Sequence, residues 1–277
     1  MITLHDSFYP TIAGAAAPED LRKEFLVPGL FQAGEVRLHY WGTDRTVLGG
    51  IVPTAHSLTL PSGDALRSDY FLQRREAGIV NLGGPGKVLA DGKQYSLGEL
   101  DALYLGRGSR DIAFSSDSPE KPAHYYLLSY PAHFSHPIRR IGFSDVKGEN
   151  LGTREACNER TLYKLIHPGE VATCQLVMGV TCLHAGSVWN TMPPHTHLRR
   201  SEVYLYSDVP QDQAVFHFMG APTATRHLIV RNLEAVLSPP WSIHSGVGTR
   251  NYRFVWGMGG ENQEFSDMDA APVSALR

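Results

Sequence analysis

Three imidazoles and one carboxylate, in His195-Thr196-His197-Leu198-Arg199-Arg200-Ser201-Glu202 and at the more distant His244, form a donor set able to hold a transition metal. His-x-His is the spacing by which a β-strand aims two rings to one side, because side chains alternate faces with period two. Glu202 lies five positions past His197 and cannot share that face on an unbroken strand. The polar residues between them can turn the chain, so that Glu202 opens the next strand, Val203-Tyr204-Leu205-Tyr206, and His244 arrives from a third. Such a mixed nitrogen and oxygen set suits zinc, iron, manganese, nickel or cobalt, and is too rich in nitrogen for calcium or magnesium. A lone His-x-His also occurs on solvated strands; with Glu202 and His244 added, the reading is a metal site.

The elements that must position these groups are short strands. The 277 residues are 42% hydrophobic and 19% charged, ordinary for a globular protein of one large or two small domains. Gly (27) and Pro (18) punctuate runs such as Ile79-Val80-Asn81-Leu82, Tyr125-Tyr126-Leu127-Leu128 and Val215-Phe216-His217-Phe218, the texture of a β-sandwich or barrel. Residues 18–26 read as a helix, with Pro and acidic residues in the first turn. A faint repeat pairs the Arg74-Arg75-Glu76 region with Arg199-Arg200-Ser201-Glu202, and Leu100-Asp101-Ala102-Leu103 with Leu233-Glu234-Ala235-Val236. This gives an all-β chain with few short helices: an arm over 1–40, a first barrel over 41–148 and a second over 149–277. In the repeat Glu76 matches Glu202, but no histidine stands near Arg67 to Asp69 or near Arg110, so the first barrel is expected to hold no metal.

A net charge of −3 gives no support to nucleic acid or an acidic membrane surface as partner. No apolar run reaches membrane-spanning length and no signal peptide is evident. Cys157, Cys174 and Cys182 are an odd set without Cys-x-x-Cys, which fits a reducing compartment; the expected location is the cytoplasm.

The metal-ligand pattern on a barrel texture resembles the cupin superfamily, although Trp241 stands where that pattern usually has Gly. A closer resemblance covers about residue 20 to the end. It rests on Gly49-Gly50-Ile51, Tyr70-Phe71-Leu72, Asp101-Ala102-Leu103-Tyr104, Trp189-Asn190-Thr191-Met192-Pro193-Pro194-His195-Thr196-His197, Trp241-Ser242-Ile243-His244-Ser245-Gly246 and Trp256-Gly257-Met258. These strings resemble the 5-keto-4-deoxyuronate isomerase family. The resemblance implies two cupin barrels in tandem, a homohexamer, and one zinc held by His195, His197, Glu202 and His244. It also implies isomerisation of 5-dehydro-4-deoxy-D-glucuronate to 3-deoxy-D-glycero-2,5-hexodiulosonate in pectin and uronate catabolism.

Moving a carbonyl from C1 to C2 requires a proton to leave C2 and another to reach C1, with an electrophile at the developing oxyanion. Four ligands leave room for substrate on a five- or six-coordinate ion but fill a tetrahedral zinc, so catalytic and structural metal both stay open. The substrate, a small anionic keto-sugar acid, needs a cation for its carboxylate; Arg160, with Lys164 and Arg199 in support, is the candidate. Tyr204 and Tyr206 alternate with Glu202 and join it as candidates for proton transfer, with Glu261 behind them. His184 and His217 read as packed or exposed histidines. Alternatives are another cupin enzyme, a 5-deoxyglucuronate isomerase or metal dioxygenase, and a non-catalytic sugar-acid-binding cupin. The last would come with a DNA-binding helix-turn-helix in a sensor, and no stretch has that pattern.

Overall fold

The computed structural model describes residues 2–7 and 9–277. The chain forms two compact units, each with one seven-stranded and one four-stranded sheet. The first unit comprises residues 2–5, 30–147 and 165–178; the second comprises the described residues of 6–29, together with 148–164 and 179–277. One break falls at 147/148, and residues 165–178, within the stretch expected to form the second barrel, belong to the first unit. Residues 1–40 are not a separate arm, however. Ile2–His5 pairs in parallel with Val36–Trp41 in the first unit, whereas Pro18–Phe25 and Leu26–Val27 belong to the second.

In the first unit the large sheet runs Ile2–His5, Val36–Trp41, Thr46–Ile51, Tyr125–Pro131, Arg75–Asn81, Ala102–Leu105, Arg139–Ile141. The small sheet runs Leu58–Thr59, Ala113–Ser116, Gly86–Ala90, Lys93–Leu97. One core joins them: Leu38, Ile51, Ala77, Ile79, Leu103 and Leu127 from the large sheet meet Val88, Ala90, Leu97 and Phe114 from the small one. Each Leu, Ile, Val and Phe among them contributes about 1.5–3 kcal/mol by leaving water. No donor cluster of metal-binding type is found in this unit among the described residues.

The register corrects the repeat. Ala77 and Ile79 face the core, so Glu76 points to the opposite face of its strand. There its carboxylate accepts the Tyr104 hydroxyl at 2.8 Å and the backbone N–H groups of Cys174, Gln175 and Leu176 at 2.7, 2.7 and 2.9 Å. Glu76 is therefore not the counterpart of Glu202. A one-residue slip exchanges the two faces of a strand, and a loose repeat of this kind cannot fix it. The outer face of this strand is closed over: a Cβ on Gly78 would lie 2.8 Å from both Ile166 Cδ1 and Leu176 Cδ2.

The second unit repeats the sheet order with Glu149–Leu151, Arg160–Ile166, Val177–Leu183, Arg253–Gly260, Arg200–Ser207, Ala235–Ser238, Leu26–Val27. Its small sheet is Trp189–Asn190, Ser245–Gly248, Val215–Ala221, Ala224–Val230, and a short ribbon pairs His195–Thr196 with Asp269–Ala270. The predicted helix is found over Pro18–Phe25; Leu21 and Phe25, four residues apart, are its buried face. A further short helix, Pro10–Ala15, was not evident in the sequence.

Candidate metal centre and active-site cavity

Three structural elements bring the donors together. His195 lies on the short ribbon and His197 follows it at once. The turn at Leu198-Arg199 leads into Arg200–Ser207, which carries Glu202 on its inner face opposite Met258. His244 is not within a strand; it ends the loop just before Ser245–Gly248 of the small sheet. His195 Nε2 lies 3.1 Å from His197 Nε2 and 3.0 Å from His244 Nε2. Glu202 Oε1 is 2.9 Å from His197 Nε2, and Oε2 is 3.6 Å from His244 Nε2.

These four fit a divalent transition metal on chemical grounds. His197 Nδ1 sits 2.6 Å from the Asp267 carbonyl and 3.2 Å from Arg200 Nη2, so the ring is held from that side and its Nε2 faces the centre. Burial, aided by the neighbouring imidazoles, pulls His195 down to about 3 and His244 to about 4, so both are neutral at ordinary pH. Burial pushes the Glu202 carboxyl up, but His244 and His197 outweigh it and hold the group ionised. Three imidazole nitrogens and a carboxylate thus converge on one point. Separations near 3 Å are what metal–ligand bonds of about 2.1 Å impose on neighbouring donors.

The centre opens onto a cavity of about 470 Å³. Phe254, Trp256, Met258, Phe265 and Met268 give it an apolar lining, and Arg160, Thr181, Thr191 and Tyr204 add the polar groups. On the sheet, three strand steps of about 4.8 Å separate the Arg160 strand from the Glu202 strand, roughly 14 Å in all. Arg160 is half-buried and donates to the Asn158 carbonyl at 2.9 Å; burial lowers its pKa, marking a cation short of solvent. Tyr204 is buried two residues beyond Glu202 on the same strand, and its hydroxyl lies 3.5 Å from Thr191 Oγ1. Burial and the Glu202 charge raise its pKa well above the ordinary value, so it keeps its proton.

The other candidates lie elsewhere. Tyr206 does not line the cavity; its hydroxyl meets His217 Nδ1 at 2.7 Å, deeper between the sheets. Lys164 is paired with Glu149 at 2.9 Å and sits over the Phe265 ring. Arg199 is bound to Asp267 and Asp269 and does not line the cavity. Glu261 and His184 are exposed. His217 is buried, as a packed histidine.

Asp267 gave no signal in the sequence. Its carboxylate binds Arg199 and Asn262, its carbonyl accepts from His197 and Arg200, and the strip that carries it supplies Phe265, Ser266 and Met268 to the cavity wall. Some 70 residues separate it from the histidines, and only the Asp269–Ala270 ribbon makes them neighbours.

Comparison with known proteins agrees with this geometry. The chain is 51% identical over 280 residues to a 4-deoxy-L-threo-5-hexosulose-uronate ketol-isomerase of Formosa agariphila, covering 100% of each. A protein of the same name from Caldicellulosiruptor bescii is 48% identical over 271 residues, 98% of each chain. Among solved structures, an IolB-like protein from Salmonella typhimurium LT2 has a TM-score of 0.69 at 15% identity, covering 87% of this chain and 94% of that one. Oxalate decarboxylase from Lactobacillus farciminis has a TM-score of 0.57 at 10% identity, covering 79% and 78%. At such identities these two structures speak to the fold alone, which is all-β and of the cupin type. The KduI/IolB family model matches residues 25–273, and the chain belongs to that family.

Proposed function

We propose that this protein is a metal-dependent ketol-isomerase that converts 4-deoxy-L-threo-5-hexosulose uronate to its 2,5-diketo isomer. The observation that carries the reading is one cavity with the four-donor centre at one end and Arg160 at the other, in a chain about half identical to ketol-isomerases over its whole length. A six-carbon acid laid between them has its aldehyde end at the centre and its carboxylate at the guanidinium.

A divalent metal held by His195, His197, Glu202 and His244 would supply Lewis acidity to the oxygens of C1 and C2. The rest is the work of the chain's own groups. Arg160 binds the carboxylate through a planar fork and sets the direction of the sugar acid. The apolar lining limits the water that reaches the reacting carbons. Glu202 is the ionised base at the reacting end, and we assign to it the proton taken from C2 and the return of a proton to C1. Tyr204, protonated and on the same strand face as Glu202, donates to the substrate oxygens as charge moves between them. Tyr206 has no place in this scheme, because His217 holds its hydroxyl.

Zinc suits the donor set, and iron, manganese, nickel and cobalt share the preference. The family resemblance also supports a homohexamer working in the cytoplasm. Among the described residues no helix is long and apolar enough to cross a membrane. The test is to follow the uronate by NMR in D₂O with the metal-loaded protein. Mass-neutral carbonyl migration with deuterium entering at one carbon supports the reading; oxygen consumption in its place points to a dioxygenase.

A further inference from the structure

Thr181 lies on Val177–Leu183, lines the cavity and is 2% exposed. Trp256 Nε1 donates to its Oγ1 at 3.1 Å. An indole N–H can only donate, so the hydroxyl oxygen is the acceptor. Among the described residues this is the one hydrogen bond of the Thr181 side chain. Its proton is left for another acceptor, and the Trp256 bond limits the directions in which it points. The arrangement depends on Gly179: a Cβ there would stand 2.3 Å from Trp256 Cζ2 and 2.4 Å from the Tyr163 carbonyl, so no side chain fits under the indole.

The Thr181 strand lies between those of Trp256 and Arg160. A donor held by Trp256 therefore stands one strand from the guanidinium in the same cavity wall. Resting on the ketol-isomerase reading above, we propose that Arg160 and Thr181 form a subsite for an α-keto carboxylate. Arg160 takes the carboxylate, Thr181 donates to the adjacent ketone oxygen, and Trp256 is the positioning residue. The chemistry is complementary: a ketone only accepts, and the hydroxyl has only its proton to give. In the uronate these are the C6 carboxylate and the C5 ketone.

The probe is 2-keto-gluconate, which has the same α-keto carboxylate end and no aldehyde to isomerise; 2-deoxy-gluconate, with a CH₂ in place of the ketone and so no acceptor there, is the control. Calorimetric titration of the metal-loaded protein is run beside kinetics on the uronate. Thr181→Val should weaken 2-keto-gluconate binding about five- to tenfold and raise KM for the uronate in step, with 2-deoxy-gluconate binding and metal content unchanged. Thr181→Ser should stay within about twofold of wild type. Trp256→Phe should fall between them, also on the keto acid alone. Equal behaviour of Thr181→Val and Thr181→Ser, equal losses for both acids, or a wild type that does not bind 2-keto-gluconate overturns the proposal. If Thr181→Val does not fold, Trp256→Phe against wild type decides by the same contrast. A wild type that binds the keto acid through Thr181 but fails to isomerise the uronate overturns the enzymatic reading and leaves the subsite. Isomerisation unaffected in Thr181→Val does the reverse.

Discussion

Replacing Arg160 by Ala removes the cation assigned to the substrate carboxylate. In the free protein one N–H of the guanidinium goes to the Asn158 carbonyl, which leaves four of its five N–H groups for a ligand. The group is half-buried and its charge is disfavoured by burial, so a carboxylate brought beside it replaces lost solvation. Losing one charge-assisted contact of this kind costs about 1.5–3 kcal/mol, or ten- to a hundredfold in kcat/KM. Most of the loss should fall on KM, because the carboxylate is bound equally before and during proton transfer. Arg160→Lys keeps the charge without the fork and should fall between. Metal content and melting temperature should hold, since Arg160 touches none of the four ligands and its removal takes an under-solvated charge out of the wall. The assay is steady-state isomerisation of the uronate with elemental analysis and a thermal melt on each variant. Unchanged kinetics would refute the assignment; loss of metal would mean that Arg160 supports the centre and does not recognise substrate.

Tyr204→Phe should lower kcat by about a hundredfold or more and leave KM within a few-fold, if its phenol moves a proton; an equal rise in KM would make it a binding group. Asp267→Ala frees the strip whose carbonyl holds His197, and metal affinity, read by competition with a chelator, should drop about ten- to a hundredfold; unchanged affinity would show that the carbonyl stays in place unaided. The metal-free protein should lose stability on acidification. Burial holds His217 and His195 at about 3 and His244 at about 4, below their ordinary 6.5. Below pH 6.5 the unfolded chain therefore binds protons that the folded chain refuses. The stability is whole above that pH and falls by roughly 1.4 kcal/mol per pH unit for each buried imidazole as pH drops toward 4. A melting temperature flat between pH 7 and 4.5 would contradict this.

The metal donors were legible because each is a rare residue type at a spacing with a structural meaning, and the polar turn before Glu202 was visible in the sequence. The all-β texture was legible for the same local reason. What failed was inference across loosely specified registers. Glu76 seemed the partner of Glu202, yet one residue of slip puts it on the outer face. Tyr206 shares a strand face with Tyr204, but depth along the strand gives its hydroxyl to His217. Lys164 and Arg199 have the right charge; only the fold pairs them with Glu149 and with Asp267. Thr181, Trp256 and Asp267 were not singled out, because nothing local distinguishes a threonine in a cavity wall from one in a core. Their roles arise from strand order, which brings residues some 70 positions apart into contact.

The central claim is that one metal centre, in the second unit, carries isomerisation of the uronate. The most direct test is to strip the protein with a chelator, reload it with zinc in steps, and measure bound metal and carbonyl migration on the same samples. The account predicts activity that rises in proportion to metal and saturates at one ion per chain, and none in a His195→Ala, His197→Ala double variant. Full activity in metal-free protein, or saturation at two ions per chain, would contradict it.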